Sequence, residues 1–294
     1  FKKCSETPGA FMHAFDPRSA LEIPEEERPA QYERLWAEPG FKKWLANFQD
    51  VMTPGEANED YAEFVRNKIR ERVKDPVVAE MLVPKDHPFS SKRLPCETGY
   101  YDVFNRDDVL LVDVKKAPIE SITPKGIKTQ DTEYELDVII FATGYDAGTG
   151  SLTRIDIRGE GGQTIKDKYA GGPRNYMGLQ SVGFPNLFIM PGAGAGNFTR
   201  GCEPVVEWVA DCIGYMRQNE FKHISATPEA EEAWTEYVAE ATANSLRTKA
   251  DSWFVGANIP GKARVFLGSP DSAPVARAKR AQVAANGYEG FLLR

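Results

Sequence analysis

Residues that hold metals or cross membranes are scarce in this sequence. Its 294 residues include three histidines and four cysteines, with no Cys-x-x-Cys pair and no metal-ligand spacing. A metal site is therefore not expected. No apolar run approaches the roughly 20 residues of a membrane-spanning helix, and no secretory apolar segment stands near the N-terminus. We expect no membrane association, reduced thiols and a cytoplasmic location.

An excess of positive charge is also lacking. The chain has 36 Lys and Arg residues against 43 Asp and Glu, a formal net charge of -7. Because nucleic-acid surfaces are strongly basic, no nucleic-acid partner is expected. The apolar share of 41% and the charged share of 27% are ordinary for globular proteins, and the length suggests about two domains.

Residues 25–83 have the apolar spacing of amphipathic helices. From Phe41 to Met52, apolar residues recur at i, i+3, i+4, i+7 and i+11, which predicts one helix over 40–52. A similar pattern predicts a helix over 58–73. Asp75 followed by proline is a favourable helix start, so a further helix is predicted up to about Leu82. This part of the chain is predicted to be all-helical.

The period changes in the second part of the chain. Continuous apolar runs predict buried strands over 109–113, 137–144 and 184–190, as in a parallel sheet. Residues 119–122 and 127–129 flank a Pro-Lys-Gly turn and predict a hairpin. Amphipathic spacing predicts three later helices over residues 203–218, 227–247 and 273–286.

Two strand ends have residues suited to binding a ligand through the backbone. The strand over 137–144 ends in Thr143 and Gly144, where small residues allow close backbone approach. The strand over 184–190 leads into a glycine-rich loop and then a helix, an arrangement that binds anions. The loop is not a full GxGxxG fingerprint. A simple tight turn and a flexible loop remain the alternatives.

The combination of motifs resembles a known family. The segments Phe-Ala-Thr-Gly-Tyr (141–145) and Pro-Asn-Leu-Phe (185–188) resemble flavoprotein monooxygenases with two dinucleotide-binding domains. Further segments are similar to type I Baeyer–Villiger monooxygenases, in particular the phenylacetone monooxygenase-like group. They are Phe64–Arg70, Asp75–Glu80, Leu82–Lys85, Lys92–Leu94, Phe104–Asp107, Asp156–Gly159, Gly256–Asn258, Pro260–Gly261 and Gly287–Phe291.

The resemblance implies an α/β fold, a partial two-dinucleotide-binding-domain flavoprotein with an all-helical insertion. Residues 1–91 would form the helical insertion, 92–147 the closing part of the NADP-binding domain and 148–294 the closing part of the FAD-binding domain. The family's two GxGxxG fingerprints do not occur in this sequence. The resemblance therefore implies that they belong to an N-terminal half that would be a partner of this chain.

The resemblance also implies an activity. The family uses NADPH to reduce FAD, and it inserts one oxygen atom of O2 next to a ketone carbonyl to give an ester or lactone. Residues 194–201 are shorter and differently composed than in the phenylacetone group, so the ketone is not predicted. Two alternatives remain: a flavin monooxygenase that oxidises sulfur or nitrogen, and a non-catalytic fragment that needs its N-terminal partner half.

Individual site residues follow from the same resemblance. Arg93 matches an arginine beside the flavin, where a permanent charge would stabilise the anionic reduced cofactor. Lys92 matches a contact to the 2′-phosphate of NADPH, and Trp253 matches a contact to the nicotinamide cofactor. A surface arginine, a solvated lysine and a core tryptophan are the alternatives. The other matched cofactor-binding residues are Thr143, Gly144, Gly192, Gly194, Asn197 and Phe198.

The absence of both fingerprints generates a first prediction. The purified, desalted 294-residue chain should be colourless, because the phosphate-binding loops that hold FAD in the family are not in its sequence. A visible absorbance spectrum tests this. Flavin bands near one equivalent would contradict it, and ketone-dependent NADPH oxidation should then follow.

Overall fold

The computed structural model describes residues 2–190 and 197–294. They divide into two compact units. The first comprises the residues up to Glu59, His87–Leu94 and Asp146–Arg294, and the second comprises Asp60–Asp86 and Pro95–Tyr145. The predicted domain boundaries after residues 91 and 147 stay a prediction.

Helices dominate the part of the chain that the structure describes. The α-helices are α1 (Lys2–Ser5), α2 (Arg28–Ala37), α3 (Lys42–Leu45), α4 (Glu56–Arg72), α5 (Pro76–Leu82), α6 (Gly150–Thr153), α7 (Ile165–Lys168), α8 (Phe198–Gln218), α9 (Pro228–Thr242) and α10 (Ala273–Ala285). The strands are β1 (Ile119–Thr123), β2 (Gly126–Thr129), β3 (Glu133–Glu135), β4 (Ile224–Ala226) and β5 (Phe291–Leu293). Short 3-10 helices cover Ala20–Glu22, Gln49–Met52, Asp102–Asn105, Glu160–Gly162, Leu246–Lys249 and Trp253–Val255.

Most predicted helices form. The helices α4, α8, α9 and α10 lie at the predicted places, with ends that differ by several residues in some cases, and α2 falls in the part predicted to be all-helical. The predicted start of α5 is confirmed, because the Asp75 carboxylate accepts hydrogen bonds from the backbone of Val77 at 2.8 Å and of Val78 at 3.4 Å. These bonds satisfy amides that have no partner inside the helix.

The continuous helix predicted over 40–52 is wrong. It is broken into α3 and the 3-10 helix Gln49–Met52. Between them, the Asp16 amide donates to the carbonyl of Asn47 at 2.9 Å, and the Gln49 amide donates to the carbonyl of Asp16 at 2.9 Å. These tertiary bonds take the place of helical ones. Phe48 belongs to the apolar spacing and is fully buried, although the helix is broken there.

The predicted hairpin is confirmed. Strand β1 pairs antiparallel with β2, and β2 pairs antiparallel with β3. At the turn, Gly126 has φ +155°, and a Cβ atom there would lie 2.0 Å from the carbonyl oxygen of Tyr134. Only glycine therefore permits this approach of β2 to β3.

The three buried strands predicted over 109–113, 137–144 and 184–190 are wrong. None of them is a strand in the described residues. Their apolar side chains include some of the most exposed in the molecule, Leu110 at 71% and Ile140 at 85%. A strand exists only as part of a hydrogen-bonded ladder. Within residues 2–190 and 197–294, none of these runs joins a sheet, although isolated backbone bonds such as that from Ile189 to Leu179 occur.

The main core of the first unit forms around α8. Trp208 packs edge-on against Tyr288, with ring centroids 5.2 Å apart, and against Phe291 at 5.8 Å. Its indole Nε1 donates to the carbonyl oxygen of Arg280 at 2.9 Å, which fixes α10 against α8. Cys212 is fully buried on α8, and burial raises the pKa of its thiol to about 12.

The four cysteines are free, so no disulfide links these elements. Among the described helices, none is both long and apolar enough to span a membrane.

Residues 87–94 are held to the first unit by buried polar side chains. The Trp44 indole donates to the hydroxyl of Ser90 at 2.7 Å. The Asn58 amide nitrogen donates to the carbonyl of Val51 at 2.6 Å and to that of Phe89 at 3.0 Å. This anchoring matters because the segment contains both Lys92 and Arg93.

The Asn58 anchor can be tested by substitution. Asn58→Ala should lower the free energy of unfolding by about 1–3 kcal/mol, because two buried carbonyls lose their donor. Asn67 lies on the exposed face of the same helix, so Asn67→Ala is the matched control and should change stability by less than about 0.5 kcal/mol. Urea unfolding measures both. Equal losses in the two variants would contradict the anchoring role.

Candidate cofactor and substrate site

Arg93 and Trp253, two of the predicted site residues, are connected through Arg247 and Phe254. The Arg247 guanidinium lies over the Phe254 ring, 4.5 Å from its centroid. Trp253 stacks on Phe254, with ring centroids 3.8 Å apart and an interplanar angle of 27°. Burial, and then repulsion from Arg93, lower the pKa of Arg247. The two arginines are therefore near enough for their charges to interact.

The orientation of Trp253 is set by its short 3-10 helix. The Ser252 hydroxyl accepts a hydrogen bond from the amide of Phe254 at 3.3 Å and caps the turn. Gly256 ends it with φ +71°, and its amide donates to the carbonyl of Trp253 at 3.2 Å. A Cβ atom on Gly256 would lie 3.0 Å from the carbonyl oxygen of Ala263. The backbone on both sides of the indole is thus constrained.

The charges and rings of this group suit an anionic ligand with a flat ring system. Lys92 is half-exposed and precedes Arg93, which is exposed. Guanidinium and ammonium groups bind phosphates through charge-assisted hydrogen bonds. The stacked rings of Trp253 and Phe254 offer an aromatic surface. The sequence analysis missed Arg247, which no motif distinguished from a solvated arginine.

The structure does not bring every predicted residue to this group. Thr143 and Gly144 are exposed and belong to the second unit, where they follow the unpaired run 138–142. Gly144 has φ +80°, as a close turn requires. Gly192 and Gly194 lie outside the described residues.

Asn197 and Phe198 stand at the start of α8. The Asn197 side-chain oxygen accepts a hydrogen bond from the amide of Arg200 at 3.4 Å and caps the helix, while its amide nitrogen donates to the carbonyl of Ala10 at 3.2 Å. Phe198 is 56% exposed. Asn197 thus connects the helix to the N-terminal segment.

A cavity of about 580 Å³ lies within the first unit. Its walls come from residues 5–10, the start of α8, α9, residues 264–271 and α10. Asn197 lines it, whereas Lys92, Arg93 and Trp253 do not. Besides the Asn197 bond, the amide of Ala273 donates to the carbonyl of Pro8 at 2.9 Å and the Arg277 guanidinium donates to the carbonyl of Ser5 at 2.9 Å. These bonds hold the N-terminal segment as a cavity wall.

In the described part of the chain, no group of three or more His, Cys, Asp or Glu side chains is placed to hold a metal ion.

The two roles of Asn197 can be separated. Asn197→Ala removes both the helix cap and the bond to Ala10, and we expect a loss of about 0.5–2 kcal/mol in the free energy of unfolding. Asn197→Asp keeps the capping oxygen and loses only the donor to Ala10, so most of the stability should return. Chemical denaturation measures both variants. If Asn197→Asp is as unstable as Asn197→Ala, helix capping is not the main role of Asn197.

Comparison with known proteins places the fold in a family. No protein-family model matches the chain. A 2-oxo-Δ3-4,5,5-trimethylcyclopentenylacetyl-CoA monooxygenase of Pseudomonas putida is 46% identical over 296 residues, which cover 98% of this chain and 54% of the relative. A cyclopentanone 1,2-monooxygenase of a Comamonas strain is 41% identical over 299 residues, covering 100% of this chain and 54% of the relative.

Solved structures agree with the sequence relatives. A crystal structure of OTEMO in complex with FAD and NADP superposes with a TM-score of 0.94 at 45% identity, covering 100% of this chain and 55% of the other. A closed crystal structure of cyclohexanone monooxygenase gives a TM-score of 0.94 at 40% identity, covering 100% and 56%.

The chain spans about half the length of the curated relatives it matches. Its sequence and its α/β fold agree with theirs over nearly all of the residues it has. The resemblance inferred from the motifs is confirmed, and the chain belongs to the Baeyer–Villiger monooxygenase family of flavoproteins.

Proposed function

We propose that this protein acts in the insertion of one oxygen atom of O2 next to the carbonyl of a ketone, which gives an ester or lactone, with FAD and NADPH as cofactors. The observation that carries the proposal is the group formed by Arg93, Arg247, Trp253 and Phe254, in a fold that matches FAD- and NADP-bound relatives. The remaining half of the relatives' length would supply the rest of the catalytic protein.

The names of the relatives support a ketone as the substrate. They include cyclopentanone 1,2-monooxygenase, cyclohexanone 1,2-monooxygenase and an acetone monooxygenase that forms methyl acetate. A ketone of small or moderate size, cyclic or open, is the substrate class that these names favour. The cavity of about 580 Å³ in the first unit has room for such a molecule.

The residues of the Arg93 group suit the proposed cofactors. When bound, FAD reduced by NADPH supplies the activation of O2. Lys92 would hold the 2′-phosphate of NADPH as a point charge, and the Trp253 ring would contact the nicotinamide. Asn197 and Phe198 would border the flavin, and backbone contacts are proposed for Thr143, Gly144, Gly192 and Gly194.

The chemical role of Arg93 in this proposal is electrostatic. A guanidinium keeps its charge at every working pH, so it can stabilise negative charge that develops during the reaction without giving up a proton. Arg247 lies near Arg93, and the two positive charges repel each other. A bound anion would relieve this repulsion, so both arginines would favour its binding. The constrained turn at Gly256 holds Trp253 in place on the same group.

One relative favours a second candidate function. A phenazine N-monooxygenase of Lysobacter antibioticus is 37% identical over 279 residues, covering 94% of this chain. Oxidation of nitrogen or sulfur uses the same cofactors but needs no carbonyl. The product decides between the two functions, because a ketone gives an ester and a thioether gives a sulfoxide.

The proposal is tested by restoring the missing length from a relative. The 294-residue chain is grafted in place of the matching segment of the Pseudomonas putida relative, and the chimera is supplied with FAD. We expect cyclopentanone-dependent NADPH oxidation and a lactone detected by mass spectrometry. A thioether serves as the competing substrate. Sulfoxide without any lactone from several ketones would overturn the proposal in favour of the second function.

Arg93 is tested in the same chimera. Arg93→Ala should lower kcat for the ketone by about 10²–10³-fold, the range observed when one electrostatic stabiliser is removed. The flavin absorbance should stay. Arg106 is an exposed arginine paired with Asp108, so Arg106→Ala is the matched control and should leave kcat unchanged. If both variants keep full activity, Arg93 has no catalytic role.

A further inference from the structure

Five arginines line the cavity of the first unit, and they differ in how their charges are balanced. Three of them face carboxylates. Arg174 pairs with Glu232, Arg200 lies 3.8 Å from Glu203, and Arg264 pairs with Asp251. Each of these charges is thus compensated inside the protein, which leaves Arg277 and Arg280.

Arg277 and Arg280 lack such a partner. They lie three residues apart on α10 and therefore on one face of the helix. The Arg277 guanidinium donates to one neutral acceptor, the carbonyl of Ser5. Within the described residues, neither guanidinium forms an ion pair with a carboxylate. Both side chains are half-buried, so water compensates their charges only in part.

The carboxylate that attracts Arg280 is already paired with another cation. Asp271 lines the cavity, and its side chain is only 4% exposed. Its Oδ1 atom accepts hydrogen bonds from the Tyr237 hydroxyl and from the Lys279 ammonium, the latter at 3.0 Å. Its Oδ2 atom has no hydrogen-bond partner among the described residues. Lys279 thus balances Asp271, and the two arginines keep an excess of positive charge.

The electrostatics of Arg280 agree with this balance. Burial, and then repulsion from Arg277, lower its pKa, while a smaller attraction to Asp271 raises it. A buried charge without a partner costs stability, so it is retained only where something compensates it. Trp208 holds the backbone of Arg280 in place through the bond from its indole. The charge is therefore positioned by the core and not by a loop.

We propose that Arg277 and Arg280 form a binding subsite for an oxyanion, a carboxylate or a phosphate, carried by the ligand that occupies this cavity. Two guanidiniums on one helix face can bind such a group through parallel charge-assisted hydrogen bonds. This inference rests on the proposed function, and the substrate would then be a ketone with an anionic group remote from its carbonyl.

Binding to the 294-residue chain tests the subsite without any turnover. Isothermal titration calorimetry at low ionic strength, in a buffer free of phosphate, uses three probes: 4-oxopentanoate, its uncharged analogue 2-pentanone, and pyrophosphate. We expect saturable binding of at least one anion. Tighter 4-oxopentanoate indicates a carboxylate as the ligand group, and tighter pyrophosphate indicates a phosphate.

Variants of Arg280 test whether the binding depends on this subsite. Arg280→Gln should weaken the anion by about tenfold to a hundredfold, the loss typical of one charge-assisted hydrogen bond. Arg280→Lys keeps the charge and should retain part of the affinity. Arg264 lines the same cavity with its charge paired to Asp251, so Arg264→Gln is the matched control and should change affinity by less than about twofold. Circular dichroism confirms that each variant is folded.

The outcomes separate the subsite from the proposed function. No saturable anion binding, or an equal loss in the Arg264 and Arg280 variants, would overturn the subsite. Equal binding of 2-pentanone and 4-oxopentanoate, unaffected by Arg280→Gln, would also overturn it while leaving ketone oxidation intact. Arginine-dependent anion binding together with a chimera that produces no ester would support the subsite and reject the proposed function.

Discussion

The packing of Trp208 is the interaction that joins α8, α10 and the end of the chain in the main core of the first unit. Its ring lies against Tyr288, which precedes β5, and against Phe291, which belongs to β5, the strand that pairs with β4. Its Nε1 atom donates to the backbone of Arg280. One side chain on α8 thus fixes α10 and the end of the chain together. Because the cavity lies between these elements and the N-terminal segment, its shape follows from this contact. A core side chain therefore holds the backbone of a charged residue, Arg280, in place.

The two charged groups of the first unit share one physical property. In the Arg93 group and on α10, arginines lie near one another, and burial and mutual repulsion lower the pKa of Arg247 and of Arg280. Such arrangements reduce the stability of the free protein, and an anion would remove the cost on binding. Other cations in the fold have carboxylate partners, such as Lys168 with the buried Glu231 at 2.7 Å. An anion bound beside Arg247 or beside Arg280 would supply a counter-charge at these two places.

Sequence patterns succeeded where structure is local. The Asp75 cap, the hairpin around Gly126 and the helices α4, α8 and α9 depend on contacts between residues close in the chain, which propensity and spacing record. The break between α3 and the following 3-10 helix was not predictable, because Asp16 causes it from more than thirty residues away. The runs over 109–113, 137–144 and 184–190 failed for a related reason. An apolar run indicates that its side chains favour burial. A strand also needs a neighbouring strand in a hydrogen-bonded ladder, and none of the three runs is part of a sheet in the described residues.

The sequence by itself determined the family, since short motifs spread along the chain are similar to one group of flavoproteins and the comparisons agree. It also indicated Arg93, Lys92 and Trp253 as candidates, whose roles stay predictions. Only the tertiary structure brought Arg247 to Arg93, because the two residues are far apart in sequence and no motif connects them. Likewise, only the folded chain distinguished Arg277 and Arg280 from the other arginines. Charge compensation depends on which carboxylate lies within a few ångströms, and that is decided by packing and not by composition.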